Sequence, residues 1–180
     1  MDFHFSQEEQ NLLDQIHDFA VRDVAPLAAE LDREERFPAE ALQKLRQMQM
    51  MGVCYPKEVG GRGCSYLVYI AMVEELAKYC ATTLIMFAAH HSLGAFALSA
   101  LGTPAQKEKY LRPLVTGEKL GAFAATDPGA GTDLGSQQTR VEDKGDHWLL
   151  NGSKIFITNG CYADIYFVSA VTDPSQKSRG

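Results

Sequence analysis

Apolar residues recur at helical spacing through the first two-thirds of the chain. Leu12, Leu13, Ile16, Phe19 and Ala20 define one stripe. Ser6 stands just before it with Glu9 three residues on, the arrangement of a capping box. Pro26 predicts a break or restart, because proline has no N–H to donate. Pro38 suits the first position of the next helix, whose face is Leu42, Leu45 and Met48, with Gly52 as its end. After a loop over 55–63, Ser65 is placed to cap a helix carrying Leu67, Ile70, Val73 and Leu76. From Thr82 to Leu101 the chain is apolar nearly all round, which predicts a buried central helix. His90, His91, Ser92 and Ser99 make that stretch too polar for a membrane span. Thr103-Pro104-Ala105-Gln106 starts one more helix, with Tyr110, Leu111 and Leu114 on it and Gly117 as its stop.

Beyond Leu120 the period changes. Short runs punctuated by Gly, Asn and Asp predict strands over 120–126, 138–142, 147–150, 154–158 and 165–171, with a turn over 143–146. Asn151-Gly152 is the strongest hairpin signal, since both residues tolerate positive φ. The fold class is therefore α+β, with a helical domain over 1–118 and a β-domain over 119–180. The polar tail from Asp173 to Gly180 reaches no further strand, and five short strands leave an edge unpaired. The expectation is a chain cut inside its β-domain.

A formal net charge of −6 argues against a nucleic-acid partner, which needs a basic footprint. Cys54, Cys64, Cys80 and Cys161 form no C-x-x-C pair, and no His lies at metal-ligand spacing from them. They read as buried or half-buried thiols of a reducing compartment. The start, Met1-Asp2-Phe3-His4-Phe5, lacks the basic and apolar regions of a leader, so the expected location is the cytoplasm. The adjacent His90 and His91 point about 100° apart on a helix, which rules out a shared metal; they read as helix surface or pocket lining. Met48, Met50 and Met51 read as core or domain contact.

The segment Asp127-Pro128-Gly129-Ala130-Gly131-Thr132-Asp133-Leu134-Gly135-Ser136 holds the most candidate chemistry. A dinucleotide fingerprint needs a helix starting within the glycines, whereas strand character follows here. A connecting loop is one reading. A nest of backbone N–H groups and hydroxyls that receives an anion is the other, and the flanking Thr126 and Thr132 favour it.

Phe123-Ala124-Ala125-Thr126-Asp127-Pro128-Gly129-Ala130-Gly131-Thr132-Asp133 closely resembles the flavin-binding signature of acyl-CoA dehydrogenases. Asn151-Gly152-Ser153-Lys154-Ile155-Phe156-Ile157-Thr158-Asn159-Gly160 is similar to that family's next flavin-contacting segment. Phe37-Pro38, Gly60-Gly61-Arg62-Gly63, Glu74-Glu75-Leu76-Ala77 and Gly102-Thr103-Pro104-Ala105-Gln106-Lys107 also look like family landmarks. Glu118 to Phe123 and Gln137-Gln138-Thr139 look closest to bacterial short-chain, butyryl-CoA-type members.

The resemblance implies an antiparallel, barrel-like β-domain, truncated here, and a C-terminal helical bundle that this chain does not contain. It implies FAD as cofactor, an acyl-CoA as substrate, electron-transfer flavoprotein as acceptor, and a dimer or tetramer when complete. By match, Phe123, Ala124, Ala125, Thr126, Gly131 and Thr132 would border the FAD, with the Thr126 hydroxyl at the flavin's pyrimidine edge. Thr132 would also meet the acyl-CoA. Phe156 would pack against the isoalloxazine ring, Ile157 would also bind the cofactor, and Thr158 would donate to flavin N5. The family often has Trp where Phe156 stands and Ser where Thr132 stands; each exchange keeps an aromatic face or a hydroxyl. The family's catalytic Glu would lie beyond Gly180, so no catalytic residue is expected in these 180 residues and the piece alone is expected to be inactive. Glu74 and Glu75 are expected to be structural. An acyl-CoA oxidase or flavin monooxygenase of the same fold, or a non-catalytic helical interaction module, are the alternatives.

Overall fold

The computed structural model describes residues 3–179; Met1, Asp2 and Gly180, which belong to the expected leaderless start and polar tail, lie outside the described residues. Eight α-helical segments precede the first strand: α1 Gln7–Phe19, α2 Ala25–Glu34, α3 Ala39–Gln47, α4 Tyr66–Ala77, α5 Ala81–Ala88, α6 Phe96–Leu101, α7 Pro104–Gln106 and α8 Arg112–Val115. π-helical turns at Ala20–Val24, Ala89–Ala95 and Lys107–Leu111 join neighbouring segments without interrupting the helical path. The first explains the restart at Pro26. One wide turn passes the site of the missing N–H, and Pro26 then falls in the first turn of α2, where no donor is needed.

Local sequence sets the helix starts. Ser6 and Glu9 form the reciprocal capping box, and Thr103 with Gln106 forms a second ahead of Pro104. The Ser65 hydroxyl accepts from the Val68 N–H. α3 begins one residue after Pro38 and ends at Gln47, short of Gly52, because Gln49 turns left-handed at φ 56°. Ile16, Leu45, Met50, Met51, Met72, Leu76, Met86, Phe87 and Leu120 are fully buried in one core. Each such side chain stabilises the fold by about 1.5–3 kcal/mol relative to exposure. Met50 and Met51 are thus core residues, and Met48 is half-buried against the same core. Glu75 joins α4 to α1 through His17 at 2.7 Å, and also pairs with Lys78.

The continuous helix Ala81–Leu101 departs from expectation in three ways. Ile85, Leu93, Phe96 and Leu101 are exposed, so one face points outward and the helix is not buried all round. By length and composition alone it is apolar enough to cross a membrane, contrary to the reading that its polar residues exclude this. A core helix passes the same test. His90 and His91 are completely buried rather than at the surface, because their side of the helix faces α4, α8 and the first strand.

Among the described residues four strands follow: β1 Gly121–Ala124, β2 Arg140–Asp143, β3 Trp148–Asn151 and β4 Ile165–Val168. β1 and β4 pair in parallel, whereas β2 and β3 form an antiparallel hairpin. Arg140 bridges to Val171, which brings the hairpin to the chain beyond β4. The hairpin turn lies over 144–147, where the Lys144 N–H donates to His147 O and the Gly145 N–H to Asp143 Oδ1. Asn151-Gly152 is therefore not the hairpin turn. Gly152 is there for contact: a methyl on it would sit 2.4 Å from Thr139 Oγ1. Nor is 154–158 a strand. Its alternating pattern is strand-like, but Phe156 adopts φ 55° and the Ile155 N–H bonds to Thr126 O across a loop. The tail carries a 3₁₀ turn at Pro174–Arg179. Cys54 and Cys64 are half-buried and Cys80 is buried, but Cys161 is exposed, because it follows the tight turn at 158–160.

Candidate functional site: two segments joined by a buried ion pair

The glycine loop after β1 and the irregular segment after β3 meet at a polar centre. Asp127 is 3% exposed, and its carboxylate takes four contacts. Lys154 Nζ lies 2.6 Å from Oδ1, which also accepts from the Thr139 hydroxyl at 2.8 Å. Oδ2 accepts from the N–H groups of Gln138 and Thr139 at 2.6 and 2.8 Å. Burial pushes this carboxyl up, but the bonds from Lys154, Thr139 and Gln138 outweigh it and hold the group well below the usual carboxylate range. Lys154 Nζ also donates to Ala125 O at 2.7 Å and to Gln137 Oε1 at 3.2 Å. With the Ile155 N–H to Thr126 O bond at 3.0 Å, the clasp fixes residues 125–127 against 154–155.

Ile157 and Thr158 line a cavity of about 270 Å³ with Arg36, Phe37, Thr82, Ile85 and Met86. Phe123, Ala124, Ala125, Thr126, Gly131 and Thr132 are not in its walls. Ala124 is buried in β1, while Phe123 is half-buried and stacks on Phe167 across the parallel pair at 5.4 Å. Ala125 and Thr126 are half-buried, and Gly131 and Thr132 are exposed on the loop. Phe156 is 88% exposed. Among the described residues, no side chain or backbone group partners the hydroxyls of Thr126, Thr132 or Thr158. A methyl on Gly129 or Gly131 would meet nothing within 4 Å, so the loop backbone is open to close approach. No α-helix starts in the glycines; only a 3₁₀ turn, Leu134–Ser136, precedes β2. A hollow of about 620 Å³ between Gly94, Leu98, Tyr110 and Tyr166 contains none of the sequence-predicted site residues.

Sequence reasoning named the hydroxyls and missed the groups that hold them. Asp127 and Lys154 sit inside the two blocks that carried the resemblance. A carboxylate in an otherwise small-residue loop and a lone lysine before an apolar run are the signal, because buried charges need partners.

A helical body followed by a small β region, with two segments of that region clasped at a buried ion pair, defines an α+β class. The chain belongs to the acyl-CoA dehydrogenase family: residues 6–118 match the model "Acyl-CoA dehydrogenase, N-terminal domain" and residues 122–180 match "Acyl-CoA dehydrogenase, middle domain". It is 48% identical over 180 residues to the short-chain specific acyl-CoA dehydrogenase of Clostridium acetobutylicum, covering 100% of this chain and 48% of that protein. Butyryl-CoA dehydrogenase from Megasphaera elsdenii superposes with a TM-score of 0.93 at 45% identity, covering 98% of this chain and 47% of that one. A chain in the solved structure of the electron transferring flavoprotein of Acidaminococcus fermentans superposes at 0.94, with 44% identity over 98% of this chain and 47% of that one. The chain thus spans about half the length of the relatives it matches.

Proposed function

We propose that these 180 residues are the helical and β portion of an FAD-dependent enzyme that oxidises a short-chain acyl-CoA to the trans-2-enoyl-CoA. The division falls between a helical unit, 1–118, and a β unit, 119–180. The observation carrying this reading is the Asp127–Lys154 clasp, which joins the two flavin-type segments in a chain similar throughout to short-chain acyl-CoA dehydrogenases.

The residues present fit FAD. Three hydroxyls without partners, a loop backbone open to close approach and an aromatic ring standing in solvent are what a flat, hydrogen-bonding cofactor requires. Phe123, Ala124, Ala125, Thr126, Gly131 and Thr132 would hold it from the loop side, and Phe156, Ile157 and Thr158 from the other. When bound, FAD supplies a two-electron acceptor at N5. The Thr158 hydroxyl would donate a hydrogen bond to that atom and Phe156 would cover the ring from water. Lys154 fixes the Ala125 carbonyl and so the course of the main chain beside Thr126. Thr132 would face the junction with the acyl-CoA.

Removal of the α-proton needs a carboxylate at the substrate. Glu75 is engaged by His17 and Lys78, which hold it below the usual carboxylate range, and it serves structure. The base is assigned outside residues 1–180. An electron-transfer flavoprotein as acceptor, a cytoplasmic location and assembly into dimers or tetramers complete the proposal.

The test is anaerobic reduction of the FAD-loaded full-length protein by butyryl-CoA. The expected outcome is bleaching of the flavin band, slowed about tenfold or more in Thr158→Val. A flavin that no short-chain acyl-CoA bleaches would overturn the reading, and the 180-residue piece alone is expected to show no turnover.

A further inference from the structure

β1 has a partner on one side only. The carbonyls of Leu120 and Ala124 accept from Ile165 and Ser169 at 3.1 and 3.0 Å, so Gly121, between them, turns its N–H and C=O the opposite way. No strand lies on that side among the described residues. The helix does instead: a methyl on Gly94 would stand 3.3 Å from the Gly121 backbone, so helix and strand touch main chain to main chain. Two side chains take the place of the missing ladder. The Gly121 N–H donates to His90 Nδ1 at 3.0 Å, and Gly121 O accepts from Asn159 Nδ2 at 3.1 Å. The first bond fixes the tautomer: Nδ1 is the bare nitrogen, and Nε2–H donates to Leu114 O at 3.1 Å. Asn159 Nδ2 also donates to Met86 O on α5 at 3.0 Å. Asn159 is 7% exposed and left-handed at φ 66°, a conformation that asparagine tolerates better than most residues.

We infer that His90 and Asn159 are positioning residues: by gripping both polar groups of Gly121 they tie helix 81–101, β1 and the 158–160 turn together and set Thr158 relative to Thr126. Asn159 follows Thr158 directly in the chain, and Thr126 lies two residues past the end of β1. Both hydroxyls thus take their places from one helix. The inference rests on the flavin reading for its effect on catalysis and on the hydrogen bonds alone for its effect on β1.

The two are separated by experiment. In the flavin-free full-length protein, amide exchange at Gly121 is expected to quicken about tenfold in His90→Leu, as loss of one hydrogen bond allows. It should stay near the wild-type rate in His90→Asn, whose Oδ1 offers an acceptor at a similar place. In the FAD-loaded protein, Asn159→Gly keeps the left-handed turn and deletes only the amide. It is expected to retain flavin, lower kcat by about tenfold to a hundredfold with KM little changed, and shift the flavin midpoint potential. Equal Gly121 exchange in wild type, His90→Leu and His90→Asn would overturn the inference. So would a folded Asn159→Gly with wild-type kcat and potential. Failure of the wild type to bind FAD would sink the flavin reading and leave the exchange result to decide this one. Should Asn159→Gly not fold, the His90 pair decides.

Discussion

Between Gln7 and Val115 the chain is held by interdigitated apolar side chains, whereas between Gly121 and Val171 it is held by polar contacts and borrowed support. The helical body buries Ile16, Leu45, Met72, Leu76 and Phe87 completely. The β portion leaves Trp148, Leu149 and Leu150 exposed on the hairpin, and its densest point is a carboxylate with four contacts. The candidate site lies on the second kind of structure and leans on the first. Apolar packing tolerates small rearrangements of a side chain, but a buried ion pair does not tolerate loss of a partner. Stability and site geometry therefore reside in different residues and should separate under mutation.

The sharpest break comes at the clasp. Asp127→Ala strands the Lys154 ammonium among the carbonyls of Ala125 and Gln137, and removing one member of a buried pair costs about 3–5 kcal/mol. The expected result is rapid hydrogen exchange and proteolysis across 123–158, with FAD retention lost and the helical circular dichroism signal nearly intact. A variant that keeps FAD would show that the clasp is not what joins the segments. The converse change is Leu45→Ala, which opens a cavity in the helical core and costs about 2–5 kcal/mol. Denaturant unfolding should shift accordingly, while exchange rates around 154–158 under native conditions stay near wild type. If both variants gave the same exchange pattern, the two regions would be one cooperative unit and the comparison would fail.

Acid gives the most graded test. Burial lowers His90 to about 4, and burial together with the neighbouring His90 lowers His91 to about 3. Both stay neutral when folded at a pH where the unfolded chain already binds protons. Their contribution is complete above the ordinary imidazole value and is lost as pH falls from there toward the folded values. Melting temperature should therefore decline between about pH 6.5 and pH 4. His90→Asn is expected to flatten part of that slope, and an unchanged slope would place the titration elsewhere.

The parts of the fold legible from sequence were those decided within a few residues. Ser6, Ser65 and Thr103 cap helices because their hydroxyls need only reach the next turn, and the Gly145 turn closes on neighbours. The segment 154–158 was misread because its backbone is governed by Thr126, almost thirty residues away, and not by its own alternation. Asn151-Gly152 has hairpin chemistry, but β3 found its partner on the other side, in β2. The same limit applies to the site. Motif matching marked Thr126, Thr132 and Thr158 by residue type. The supporting roles of Asp127, Lys154, His90 and Asn159 depend on contacts that no local pattern encodes. The outward face of helix 81–101 was hidden for a related reason, since composition records how apolar a helix is and not which side finds cover.

Phe156 shows what such a site asks of the chain. A bulky residue at φ 55° sits in a backbone state that L-amino acids enter reluctantly, and its ring gains nothing from the protein's own interior. Selection for stability alone would replace it with glycine or asparagine. On the proposed reading, a planar guest recovers that expense by hiding the ring, so occupancy should make this the most rigidified stretch of the polypeptide. The empty and the loaded protein would then differ more in fluctuation here than in shape.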